Sequence, residues 1–195
     1  STIMAVYEDD LERFINSKNI LDLNKQEDQY YNELVKYDSQ KRQMELEIQS
    51  LNDLENYLMN LGEETLLPPS MYILEDDAGL KNMISELYGM QVMRNSKLFD
   101  ATEGNPAIAK QDSIRQIQRA NLMVYLTNTR TAVNERIAGI QSQIDDYTRM
   151  IKGVPANQRG LLNIRRKLGV NEKLYEFLLE KRANTVIAKA GIIPT

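Results

Sequence analysis

Apolar residues recur at intervals of three and four through most of this chain, the spacing that lines one face of an α-helix. The longest run is Tyr30, Leu34, Tyr37, Lys41, Met44, Ile48, Leu51, Glu55 and Leu58. It is a heptad seam with two charged interruptions. It predicts a helix over about 21–61 that stops before Gly62, a residue suited to the left-handed position after a helix end. About forty residues of helix rise about 60 Å, more than a compact domain of this size needs, so a rod is expected. A shorter helical stretch, roughly Ile3 to Ile15, precedes it.

Residues 63–76 read as a connector, because Pro68-Pro69 excludes helix there. A helix over 77–99 follows, opened by Asp76 or Asp77 as N-cap. Its apolar positions are Leu80, Met83, Ile84, Leu87, Met90 and Met93. Thr102 to Pro106 is the clearest break, and Asn105-Pro106 reads as an N-cap with proline at the first helical position. The helix over 106–152 carries two registers. Ile114, Ile117 and Val124 lie on one seam. Met123, Leu126, Val133, Ile137, Ile140, Ile144, Tyr147 and Ile151 lie on the other. The switch predicts a stutter near 122–126, where the packing partner changes. Gly153-Val154-Pro155 ends that helix, and a last one covers 157–190, weakened by Gly160 and Gly169.

No segment alternates like a strand for long, although Ile192-Ile193-Pro194 has the composition to begin one. The expected fold is all-α: an elongated antiparallel helical bundle, or coiled-coil-like rod, of about four main helices in a single domain over 1–195. Short turns between successive helices imply alternating directions. The first long helix and the last would then run antiparallel, with both chain ends at one end of the rod. A segment held between two membrane helices has that geometry.

Composition narrows the chemistry. The 195 residues include no Cys and no His. This removes disulfides, thiolate nucleophiles, Cys/His zinc sites and histidine acid–base catalysis together. The formal charge of −4 offers nucleic acid no general attraction, and no window resembles the ~20 apolar residues of a membrane span. The first residue is Ser1 with no initiator Met, as expected of a piece of a longer protein whose targeting or membrane segments lie elsewhere. Charge is uneven along the chain. Residues 1–62 hold thirteen acidic and six basic side chains, a net of −7; residues 157–190 hold eight basic and three acidic, a net of +5. Solvated faces account for most such runs; attraction between the first and last helices is the alternative.

No catalytic constellation is evident. Gly79, Gly89 and Gly104 are isolated rather than a phosphate loop. Serines lack a histidine partner. Asp9-Asp10, Glu75-Asp76-Asp77 and Asp145-Asp146 are neighbours in sequence, and adjacent helical residues point about 100° apart, which suits a surface better than a metal. No cofactor and no metal are expected. Tyr30, Tyr31, Tyr37, Tyr57, Tyr125, Tyr147 and Tyr175 lie at or beside seams and read as amphipathic packing residues. The nine Met residues read as flexible core filler. In the last helix Leu161, Ile164, Leu168, Tyr175, Leu178 and Leu179 form the expected buried side, with Lys181-Arg182 as its wet edge.

The run from Val154-Pro155 through Ile164-Arg165 to Leu174-Tyr175, Leu178-Leu179 and Lys181-Arg182 resembles the C-terminal periplasmic segment of polysaccharide co-polymerases. These are the chain-length determinant proteins of capsule and exopolysaccharide export, many of them fused to a bacterial tyrosine autokinase. The form is Bacteroidetes-like. Three upstream features agree in order: Phe14-Ile15 ahead of a long acidic helix, Leu67-Pro68 followed by Leu80, Ile84 and Leu87-Tyr88, and Asn105-Pro106 opening a helix. The resemblance thus covers nearly the whole chain, although Ala183-Asn184 replaces the acidic pair that often follows Lys-Arg. It implies a periplasmic helical domain of a bacterial inner-membrane protein, anchored by flanking membrane helices outside this segment. It also implies self-association in the full-length protein, with a polysaccharide polymerase and an outer-membrane export channel as partners. Catalysis would belong to a cytosolic kinase domain of the parent, with no catalytic residue in this segment.

Two readings from other classes remain open. A cytosolic coiled-coil adaptor predicts no membrane helices beside the segment. A periplasmic adaptor hairpin of an efflux or secretion system predicts β-rich flanking sequence.

Overall fold

The structure is a computed structural model describing residues 2–18, 25–59, 74, 76–98 and 106–190, with side chains described at 5–13, 28–59, 74, 76–94, 96, 106–156 and 158–184. These residues form α1 (Thr2–Lys18), α2 (Lys25–Met59), α3 (Ala78–Leu98), α4 (Pro106–Ile151) and α5 (Ala156–Ala190). Among the described residues there is no strand, so the fold is all-α. Gly62, Pro68-Pro69, Asn105 and Ile192-Ile193-Pro194 lie outside the described residues, as does most of the 63–76 connector. Packing divides the chain into two compact units: Ser1–Leu46 with Asn134–Thr195, and Glu47–Val133. Both divisions fall inside helices, α2 and α4.

In the Glu47–Val133 unit, Leu51, Leu54 and Leu58 of α2, Leu80 and Ile84 of α3, and Leu122 and Leu126 of α4 form a buried cluster joined by Leu74. Leu51 and Leu58 lie on the predicted seam, and Leu54 lies beside it, next to Glu55. The charged interruption Glu55 is half-buried and takes an ion pair from Arg130 of α4. Arg119 donates to the carbonyl of Leu58 at the end of α2, satisfying one of the acceptors a helix end leaves open.

In the other unit, Leu34, Ile144, Ile151 and Leu162 form the core, flanked by Tyr30, Tyr31, Tyr37 and Tyr147. Tyr30 and Tyr147 meet edge-on with ring centres 6.3 Å apart, and Tyr37 lies 5.9 Å from the same ring. Such pairs add about 0.5–1.5 kcal/mol beyond area burial. Lys41, the other charged interruption of the α2 seam, donates to Gln141 of α4 at 2.7 Å. α1 packs against α5.

Helix directions differ from strict alternation. In each unit α4 opposes α2: Tyr37 meets Tyr147 while Lys41 meets Gln141, and Glu55 meets Arg130 while Leu58 meets Arg119. α4 also opposes α3, since Asp77 meets Tyr125 and Arg94 meets Asp112. α2 and α3 therefore share a direction. Alternation assumed a tight turn between them, but eighteen residues separate Met59 from Ala78. At about 3.3 Å per residue that is ample to travel back along α3 before starting it. After α4, the backbone bonds Lys152 to Arg149, Gly153 to Met150 and Val154 to Ile151 make a tight reversal, and Leu162 returns to pack on Ile151 and Ile144. α5 then meets α2 around Tyr31 and Val35.

The two-register reading of α4 is half corrected. Leu126, Val133, Ile144 and Ile151 are buried, and Met123, Ile137, Ile140 and Tyr147 are half-buried. Ile114, Ile117 and Val124 are 40%, 60% and 60% exposed. Upstream of Leu126 the buried line instead runs through Ile108, Asp112, Arg115, Arg119 and Leu122, in unbroken steps of three and four, so the register does not switch at 122–126 as expected. Three of these five are charged, so apolar periodicity selected the wrong face.

Candidate functional site

The expected buried side of α5 is the natural place to look for a working surface. Leu161 is buried, and Ile164, Leu168 and Leu178 are half-buried. Tyr175 and Leu179 are not covered: they are 52% and 46% exposed. The buried line of α5 starts through Leu162 and Gly169, about one residue further round the helix than the expected one, and at 100° per residue both Tyr175 and Leu179 fall outside that face. Leu178→Ala is therefore expected to cost about 1–2 kcal/mol, short of the ~2–5 kcal/mol of a fully buried leucine. Urea denaturation of the variant beside the parent chain checks this.

Gly169 explains the rotated line. A Cβ placed there would stand 2.8 Å from Tyr31 Oη and 3.2 Å from both Val35 methyls. A glycine that weakens a helix intrinsically thus lets α5 approach α2 closely. Arg165 and Arg166 border this contact. Arg165 lies over the Tyr31 ring, 4.8 Å from its centre, and 3.5 Å from Asp28; Arg166 pairs with Asp38. The basic run of α5 is in this part engaged with the acidic α2. Burial pushes the Tyr31 hydroxyl above its ordinary value, against the opposing pull of Arg165.

Lys181 also departs from expectation. It is buried, not at a wet edge, with its ammonium 5.8 Å from the Phe177 ring centre, while Arg182 is exposed. A lysine can pack its four-carbon stem and keep a favourable ring contact for its head. The sequence held a signal for this, since Phe177 and Lys181 are four apart on one helix face.

In the other unit, Asp77 is the N-cap of α3. Its Oδ1 accepts the Leu80 amide at 2.9 Å and the Tyr125 hydroxyl at 2.8 Å. Tyr125 lies over Gly79, where a Cβ would come 2.8 Å from its oxygen. The bond to Asp77, and then burial, raise the Tyr125 pKa above 10.0. The folded state thus holds this proton more tightly than the unfolded chain. The stabilisation is complete below about pH 10 and is lost as pH rises through the folded value. Tyr125→Phe is expected to cost about 1 kcal/mol at neutral pH and to flatten the loss of stability above pH 10. Urea midpoints at neutral and alkaline pH for both proteins read this out.

Among the described residues no group of three or more His, Cys, Asp or Glu side chains could hold a metal ion, and no helix is long and apolar enough to cross a membrane. The named side chains meet in helix-to-helix packing, with ion pairs along the seams. No protein-family model, no characterised protein and no solved structure matches the chain.

Proposed function

We propose that this chain is the periplasmic helical region of a bacterial inner-membrane protein that controls the chain length and export of a capsular polysaccharide or exopolysaccharide. The observation that carries the reading is the ordered set of motifs along nearly the whole chain, above all the Pro-led turn and the α5 run from Ile164-Arg165 to Lys181-Arg182. In this role the segment is a spacer and an assembly surface. It transmits geometry between a membrane anchor and its partners and performs no chemistry of its own. The partners are other copies of the full-length protein, the polysaccharide polymerase and an outer-membrane export channel. Where the parent is fused to a tyrosine kinase, phosphoryl transfer takes place in that cytosolic domain.

What the helices contribute is stiffness. Seams on α2 and α4 whose charged members find partners, Lys41 with Gln141 and Glu55 with Arg130, hold register as well as area. The reading frame of the parent gene on either side tests the proposal. It predicts one membrane span before the segment and one after it, followed in the fused form by a kinase with Walker-type phosphate motifs. Flanks without membrane spans, or β-rich lipoyl-like flanks, would contradict it.

A further inference from the structure

α3 and α4 meet in two different ways along their contact. As far as Leu87 the contact is apolar, with Leu80, Ile84, Leu122 and Leu126 in the buried cluster and Leu87 packed against it. Beyond Leu87 it turns polar. Asp112 accepts Arg94 Nε at 2.6 Å, and the same guanidinium lies 3.5 Å from its other oxygen. Arg115 stands 3.7 Å from Asp112 and donates to Gln91 of α3. One carboxylate is thus shared by an arginine from each helix. No residue from Tyr88 to Ser96 with a described side chain is buried: Met90, Gln91 and Arg94 are half-buried, and Tyr88, Val92 and Met93 are exposed. In α4, Ile108 is buried ahead of Leu122 but belongs to neither apolar cluster.

Several features weaken this end of α3. A Cβ at Gly89 would meet nothing within 4 Å, so no close approach requires the glycine, unlike Gly79 and Gly169. Glycine inside a helix costs backbone entropy, and this one falls at the step from apolar to polar contact. Gln91 Nε2 and Gln111 Oε1, the second next to Asp112 in sequence, are buried without a hydrogen-bond partner. Such burial is unfavourable, and access to water removes the cost.

We propose that the Gly89–Leu98 part of α3 is a hinged strap. It opens from α4 as one unit about Gly89, with Asp112 as its latch, while the apolar cluster stays closed. The charge-assisted latch favours the closed form; Gly89 and the stranded amides favour the open one. Opening uncovers Asp112 and Arg115, which can face water and still keep each other on α4, so this line has no hydrophobic cost of exposure. Leu122 and Leu126, further along α4, lack that freedom. The device lies within the Glu47–Val133 unit and depends on neither membrane nor polysaccharide.

Native-state hydrogen exchange of the 195-residue chain, resolved by mass spectrometry of overlapping peptides, tests it. Amides of 91–98 are expected to exchange together, about a hundredfold or more faster than those of 81–87. Asp112→Asn should speed that exchange about ten- to hundredfold, as expected for losing a hydrogen bond to a charged group. Gly89→Ala, which adds no clash and leaves the latch intact, should slow it about fivefold by stiffening the helix. Exchange at 81–87 should keep the parent rate in both variants. Amides of 91–98 as protected as those of 81–87 overturn the proposal. So does protection that falls smoothly toward Leu98, which is fraying of a helix end. Exchange at 91–98 that neither substitution changes also overturns it, as does equal acceleration of 81–87 by Asp112→Asn, which would make Asp112 a support of the whole core.

Discussion

Leu126→Ala is expected to lower the unfolding free energy by about 2–5 kcal/mol, whereas Val124→Ala, two residues away, should stay within about 0.5 kcal/mol. Leu126 is fully buried between Leu51, Leu54 and Leu58 of α2 and Leu80 and Ile84 of α3. Its truncation removes apolar transfer energy and leaves a cavity that three helices cannot all close. Val124 faces away from them, so its truncation removes contacts that are mostly with water. Urea denaturation followed by far-ultraviolet circular dichroism gives both values from one experiment. Equal losses would mean that α4 is rotated relative to the structure. A large loss at Val124 alone would restore the seam that apolar periodicity first suggests.

Gly169→Leu is expected to cost about 1–3 kcal/mol through overpacking, at a site where helix propensity alone favours the substitution. Replacing glycine by alanine in a helix interior gains about 1 kcal/mol. The methyl of Gly169→Ala, however, would meet Val35 at 3.2 Å and Tyr31 Oη at 2.8 Å. The tyrosine tip can swing aside; the branched Val35 cannot without moving α2. Alanine is therefore expected to be near neutral, and leucine, with three more carbons to place, clearly destabilising. Adding Val35→Ala should recover part of the leucine variant's loss, because the two changes share one space and do not add. A Gly169→Leu protein that unfolds with the parent would show that α5 does not approach α2 here.

Much of the fold was legible in the sequence because its helices are long and end on strong signals. Predicted helices over 77–99, 106–152 and 157–190 correspond to Ala78–Leu98, Pro106–Ile151 and Ala156–Ala190, and Asp77 caps α3 as an N-cap should. The α2 seam reads correctly through its charged members, Lys41 and Glu55, because both find polar partners on α4. Apolar spacing failed where burial is not apolar. The inner line of α4 runs through Asp112, Arg115 and Arg119, and the buried residues of α5 include Gly169 and Lys181, none of which a hydrophobic pattern selects. Ile114, Ile117, Val124, Tyr175 and Leu179 make periodic sense and are exposed nonetheless. Direction was also hidden, because alternation holds only where the connection is too short to travel back along a helix. The proposed function rests on resemblance alone, since the packing seams carry no reacting group that would suggest one.

The most direct test of the export reading is the polymer itself. The parent gene is replaced by a form carrying Leu54→Ala with Leu126→Ala, which disrupts the Glu47–Val133 core, and the length distribution of the cell's capsular or exported polysaccharide is resolved by gel electrophoresis. The predicted result is a shifted or lost modal length while the parent protein remains detectable in the membrane. A polysaccharide of unchanged length and amount, from cells in which the segment is demonstrably unfolded, would contradict it.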